Sequence, residues 1–129
     1  MPEKILHKDL SYKVCGFCFK AHNELGRFRN ERSYGDRLER LFSSSGVSFE
    51  REKSLPVSFD GEKPGRNIPD FIIDGKLILD IKAKRMIEKA DYYQMKRYLA
   101  ASKLRLGLIV NFRQKYLSPK RVLGQARIL

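Results

Sequence analysis

Apolar residues return at helical intervals from about Ser11 to Glu24, with Val14, Phe17, Ala21 and the following Leu25 on one stripe. Ser11 is placed to cap that helix and Gly26 to stop it. A second helix is expected from about Asn30 to Ser44, where Tyr34, Leu38, Leu41 and Phe42 repeat on one face before Ser43-Ser44-Ser45-Gly46 breaks the pattern. Val47 to about Val57 reads as an extended strand, and Asp60-Gly61-Glu62-Lys63-Pro64-Gly65 as a loop. Two short apolar strands follow between Ile68 and Lys82, joined at Asp74-Gly75. The pattern returns to helix from about Ile87 to Ser102, then to a buried strand from Leu104 to Phe112, and Lys120 to Leu123 is a short edge strand. Helix, helix, three strands, helix, strand is the order of an α/β chain of the α+β kind, a mixed sheet of four to five strands flanked by helices.

A length of 129 residues suits one domain spanning 1–129, and 42% apolar with 33% charged residues suits a soluble globular protein. Charge changes the picture more than size does. The formal net charge is +12, and it is lopsided: residues 1–81 carry 14 Lys and Arg against 13 Asp and Glu, whereas residues 82–129 carry 13 against 2. A basic half of that kind points to a polyanionic partner, nucleic acid before others, although a solvated face is the plainer reading. The start of the chain lacks the apolar core of a secretory leader, and the apolar run Leu106–Val110 is too short to span a bilayer, so a cytoplasmic protein is expected. Cys15 and Cys18 have redox or half-zinc-site spacing, but no second pair follows and both sit in the first helical stripe, which favours core packing.

The candidate chemistry lies in the strand pair. Asp70 and Asp80 place a carboxylate on each strand, and Lys82 follows two residues after the second. Two carboxylates suit Mg²⁺ (or Mn²⁺), a hard cation that prefers oxygen, and a nearby ammonium suits a phosphate or an attacking water. Strand periodicity puts Asp80 and Lys82 on one side and Ile81 on the other. Asp70 is a stricter test. A loop of Asp74 and Gly75 alone would pair it with Leu79 and send it to the wrong face. A shared ion therefore requires an odd-length loop, a bulge with Gly75 at positive φ, or a kink near Pro69.

These residues resemble the PD-(D/E)XK nuclease superfamily, and within it the GxxExxY family of small bacterial proteins, over nearly the whole chain from Leu10 to Leu123. Leu10-Ser11-Tyr12-Lys13 and His22-Asn23-Glu24-Leu25-Gly26 resemble the opening helix, and Glu31-Arg32-Ser33-Tyr34 supplies the Glu and Tyr of the family name. Pro69-Asp70 with Asp80-Ile81-Lys82 matches the catalytic signature, Gln94-Met95-Lys96-Arg97-Tyr98 the Gln-x-x-x-Tyr helix, and Leu106–Phe112 the strand after it. Phe28 stands where the family name expects Gly, and Asp80 replaces the commoner Glu. The resemblance implies a restriction-endonuclease-like core, with Asp70, Asp80 and the backbone carbonyl of Ile81 as metal ligands.

Lys82 would meet the scissile phosphate or orient the water. Glu31 would serve a second ion or a water of the first, or would simply favour its helix N-terminus. Gln94 and Tyr98, one turn apart, would orient Lys82 or touch the phosphate backbone, with core packing the alternative for Tyr98. His22 reads as a packed or capping residue. Lys84, Arg85, Lys96, Arg97, Arg113, Lys115, Lys120 and Arg121 are candidates for phosphate contacts. The expected function is a metal-dependent nuclease acting on DNA rather than RNA, possible as a homodimer; the alternative is a nucleic-acid-binding module on the same fold with little or no hydrolysis.

Overall fold

The structure, a computed structural model, describes residues 5–125. Helix α1 spans Lys8–Leu25 and starts three residues before its expected cap, because His7 takes a left-handed conformation (φ 49°) and marks the boundary. Ser11 thus lies inside the helix, where its hydroxyl donates to the Lys8 carbonyl at 3.1 Å and accepts from Arg121 Nη1 at 2.9 Å. Gly26 ends the helix at φ 78°. Helix α2 (Glu31–Ser44) begins as its sequence suggests: the Asn30 side chain accepts from the Ser33 N–H at 2.8 Å, satisfying one of the open donors of the first turn.

Strands β1 (Phe49–Arg51), β2 (Phe71–Ile73), β3 (Leu77–Lys82), β4 (Leu106–Asn111) and β5 (Lys120–Leu123) form one five-stranded sheet in the order β1-β2-β3-β4-β5. β3 and β4 run parallel, because helix α3 (Lys89–Ser102) carries the chain back between them, and the other neighbours are antiparallel. The strand expected over Val47–Val57 is much shorter. Glu52 turns to φ 53° and ends the pairing. Beyond it the chain loops out and is tied down by Glu62, whose buried carboxylate accepts from the Ser58 N–H (2.6 Å), the Ser58 hydroxyl (2.8 Å) and Asn67 Nδ2 (2.7 Å).

The sheet divides the core in two. Phe71, Ile73, Leu77, Leu79, Ile81, Leu108 and Val110 pack on α1 and α2, with Tyr34 stacked on Phe112 at 4.3 Å between ring centroids. Ile72, Ile78, Ile109 and Val122 pack on Met95, Tyr98 and Leu99 of α3. Gly107 makes this second layer tight: a Cβ there would lie 2.4 Å from Met95 Sδ. Cys18 is buried in the first layer and Cys15 packs against it, both as free thiols, and burial pushes each thiol up. His22 is packed as expected, with Nε2 2.8 Å from the Gln114 carbonyl oxygen.

Candidate active site

The β2–β3 hairpin solves the parity problem by an odd loop. Phe71 pairs with Leu79 and Ile73 with Leu77, leaving Asp74, Gly75 and Lys76 in the turn, with Asp74 at φ 54°, Gly75 at φ 62° and the Lys76 N–H donating to the Ile73 carbonyl at 3.0 Å. Continued by one residue, that register sets Asp70 across from Asp80 on one face of the sheet. Asp70 Oδ2 accepts the Ile81 N–H at 2.6 Å. Burial first, then the adjacent Asp80 carboxylate and a hydrogen bond shared with it, push Asp70 up to about 8, against the opposing effect of the Ile81 N–H.

Asp80 is 4% exposed, and its Oδ2 is a buried acceptor without a hydrogen bond. Lys82 Nζ stands 2.9 Å from that oxygen but out of alignment for a hydrogen bond, so the contact is an ion pair only. A buried carboxylate with one oxygen free of hydrogen bonds, beside a second carboxyl group, is a donor set that fits a hard divalent cation. The neighbouring backbone fits too. The hairpin register carried to its end sets Ile81 opposite Pro69, which has no N–H to offer the Ile81 carbonyl.

Lys82 is held from the α3 side. Its ammonium donates to Gln94 Oε1 at 2.7 Å and lies 3.9 Å from Asp91 Oδ1. Tyr98, one turn after Gln94, is buried, and its hydroxyl reaches the Ile68 carbonyl at 3.4 Å. Burial, Asp80 and Asp70 all push the Tyr98 phenol up, so it stays protonated. Two carboxyl groups, an ammonium and a Gln-x-x-x-Tyr helix thus meet at the C-terminal end of β3.

The family model described as the PD-(D/E)XK nuclease superfamily matches residues 8–122. The chain belongs to that superfamily. Nucleases of the PD-(D/E)XK superfamily generally use divalent metal ions. No curated protein sequence matches the chain. Among solved structures, the crystal structure of an alkaline exonuclease (LHK-Exo) from Laribacter hongkongensis is similar with a TM-score of 0.50 at 11% identity, covering 97% of this chain and 73% of that one. At that identity the likeness speaks to the restriction-endonuclease-like fold alone.

Around the PD-(D/E)XK motif the other candidates are distributed unevenly. Glu31, at the start of α2, is exposed and lines a cleft of about 560 Å³ with Asp70, Phe71, Ile81 and Arg51. It acts on Asp70 through its charge. Among the described residues no three His, Cys, Asp or Glu side chains gather into a metal-chelating group.

Two residues that sequence reasoning passed over hold the site together. Asp91 accepts from Lys84 Nζ (3.0 Å) and the Glu88 N–H (2.8 Å), and although burial works the other way, these bonds hold its carboxyl below the usual range. The Asn111 side chain brackets the Lys84 backbone, its Oδ1 accepting the N–H at 3.1 Å and its Nδ2 donating to the carbonyl at 2.8 Å. Asp91 stood three residues after Glu88 and three before Gln94, the spacing of a first-turn cap on the same helix face. Asn111 had no such signal.

Several of the basic candidates are engaged within the chain. Arg113 Nε donates to the Arg27 carbonyl at 2.9 Å, and Arg121 donates to Ser11 Oγ and to the Leu6 carbonyl. Lys84 is paired with Glu88 and Asp91, Lys96 donates to the Leu123 carbonyl, and Arg97 Nε lies 3.9 Å from Glu62. Lys115 lies over the Tyr116 ring at 5.5 Å, and Lys120 donates to Ser118 Oγ at 3.3 Å. Arg85 is exposed. No helix among the described residues is long and apolar enough to cross a membrane.

Proposed function

We propose that this chain is a Mg²⁺- or Mn²⁺-dependent nuclease of the GxxExxY kind, one nuclease-like domain that hydrolyses phosphodiester bonds in DNA. The observation that supports it most is the buried Asp80 carboxylate across from Asp70, its Oδ2 without a hydrogen bond and Lys82 Nζ 2.9 Å away. Asp70, Asp80 and the Ile81 carbonyl would hold the ion, with Glu31 reaching from the cleft through a water. Once bound, the ion would offset phosphate charge and make a nearby water more acidic.

The protein's own part is positioning. Lys82 is aimed by Gln94 and held near Asp91, so its ammonium can direct a water toward phosphorus in line with the leaving oxygen, or steady a nonbridging oxygen. Asp91 and Asn111 fix Lys84 beside it, where a phosphate could displace its intramolecular carboxylate contacts. Asp80 and Lys82 share one sheet face with the buried Ile78, which anchors that face against α3.

The test is cleavage of plasmid and linear DNA across a Mg²⁺ and Mn²⁺ titration, with Asp80→Ala and Lys82→Ala alongside the unsubstituted chain. Metal-dependent cleavage lost in both variants supports the nuclease. Salt-sensitive binding without cleavage, little changed in Lys82→Ala, would instead make the chain a binding module.

A further inference from the structure

The turn between α1 and α2 presents an aromatic ring to solvent beside the candidate site. Phe28 is 76% exposed, and it is flanked by two guanidinium groups: Arg27 Cζ lies 4.9 Å and Arg113 Cζ 5.9 Å from its ring centroid. With three-quarters of its surface in water, the ring cannot be covered on both faces. One face is therefore open.

The turn is anchored rather than loose. The Tyr34 hydroxyl donates to the Gly26 carbonyl at 2.5 Å and accepts the Arg29 N–H at 3.2 Å, while Arg113 donates to the carbonyls of Arg27 and Arg29. These bonds fix Phe28 between two parts of the site. Three residues after it, Glu31 lines the cleft shared with Asp70 and Ile81. On the other side, Arg113 follows the Asn111–Phe112 segment, where Asn111 pairs with Lys82 and the Phe112 N–H donates to the Lys82 carbonyl at 2.8 Å.

An exposed phenyl ring offers a flat apolar face for a partner to cover, and the charges around it select the partner. Arg27 and Arg113 flank the ring with positive charge, which suits an anionic backbone carrying flat, apolar-faced groups. A base-paired duplex keeps its bases stacked on one another and has no free face to give Phe28 along its length. We infer that Phe28 with Arg27 and Arg113 is a stacking platform for an unpaired base, so the substrate taken at this site is single-stranded DNA or a frayed single-stranded end. The inference rests on the nuclease reading for its DNA partner.

The chain contains no tryptophan, so Phe28→Trp installs a single reporter at the platform. Binding is measured in EDTA, where hydrolysis does not intrude, by anisotropy of a fluorescein-labelled single-stranded oligonucleotide, an abasic strand of equal length and a blunt duplex. Phe28→Ala and Phe28→Leu are each expected to weaken single-strand binding about tenfold, as loss of one stacked base does, while Phe28→Trp retains it. The abasic strand should bind the unsubstituted chain as weakly as the normal strand binds Phe28→Ala. Tryptophan emission in Phe28→Trp should be quenched by the single strand and not by the duplex.

Equal losses for duplex and single strand, an unchanged affinity in Phe28→Ala, or tryptophan emission indifferent to DNA would overturn the platform. Unquenched emission that instead shifts with protein concentration would mark the ring as a contact between copies of this chain and overturn it as well. Because these readouts need no cleavage, they fail independently of the Asp80→Ala comparison. Loss of the platform would leave a metal-dependent nuclease intact, and loss of cleavage would leave single-strand stacking measurable.

Discussion

Lys82 Nζ sits 2.7 Å from Gln94 Oε1 and 2.9 Å from Asp80 Oδ2, so one ammonium links the central strand to the crossover helix. Removing the amide acceptor should leave Lys82 in place but poorly aimed. Gln94→Ala is expected to slow single-turnover DNA cleavage about 10- to 100-fold, the usual effect of losing an orienting partner, with little change in melting temperature. Gln94→Glu, which keeps an acceptor at the same reach, should recover part of the rate. An equal fall in rate and stability in Gln94→Ala would instead make the residue structural.

Asp70 titrates in the direction that links folding to pH. Its carboxyl is pushed up to about 8, well above an ordinary carboxyl near about 4. The folded chain keeps a proton that the unfolded chain releases, so this stabilisation is full below about pH 4 and is lost as pH rises through about 8. In EDTA the melting temperature of the unsubstituted chain should therefore fall relative to that of Asp70→Asn between those limits. Parallel melting curves for the two would refute the assignment.

Metal binding should draw on the same proton. Below about pH 8 an ion entering between Asp70 and Asp80 must displace the proton that Asp70 retains. Calorimetric titrations with Mg²⁺ or Mn²⁺ in two buffers of different ionisation enthalpy should differ in apparent heat at pH 7 and converge above pH 9. Asp70→Asn should bind weakly and show no buffer dependence.

Gly107 has no room for a side chain. A methyl group there would collide with the Met95 side chain, lying 2.7 Å from its Cγ, so Gly107→Ala must displace that side chain or push α3 away from β4. The expected cost is about 1–3 kcal/mol, read by urea unfolding. Met95→Ala in the same chain should relieve the clash, making the pair less destabilised than the two single costs added together.

Glu62 ties the segment between β1 and β2. Its carboxylate gathers the Ser58 N–H and hydroxyl and the Asn67 amide, and Leu55 N–H bonds to the Asn67 carbonyl at 2.8 Å. Glu62→Ala should speed proteolytic nicking between Glu52 and Pro69, and Glu62→Gln, which keeps an acceptor, should do so less. Mass spectrometry of the first fragments reads the outcome.

The parity of the hairpin was more legible in the sequence than the ends of the elements around it, for physical reasons. Alternation along a strand is strict, so Asp70 and Asp80 could share a face only through an odd turn, and the turn has the three residues Asp74, Gly75 and Lys76. Asn30 and the apolar repeat of α2 were equally plain, and β5 runs over Lys120–Leu123 as its pattern suggested. The end of β1 was not legible, since the left-handed turn falls on Glu52, a residue with no local preference for it. The same holds for His7 at the start of α1.

Long-range commitments were the other blind spot. Composition revealed a basic half, but not that Arg113 and Arg121 spend hydrogen bonds on carbonyls 86 and 115 residues away. Asn111 bonds to Lys84 across 27 residues and left no local trace. Asp91, by contrast, was readable as a first-turn cap but not as a partner for two lysines.

Helix α3 carries Asp91, Gln94 and Tyr98 in little more than two turns, and each faces the end of β3. The helix-side hold on the ammonium is therefore mounted on a single removable panel. Gentle warming or dilute urea that loosens this panel from the sheet, with the sheet itself still formed, should silence hydrolysis well before circular dichroism registers collapse. Such a protein would fail as a catalyst while it still looks folded.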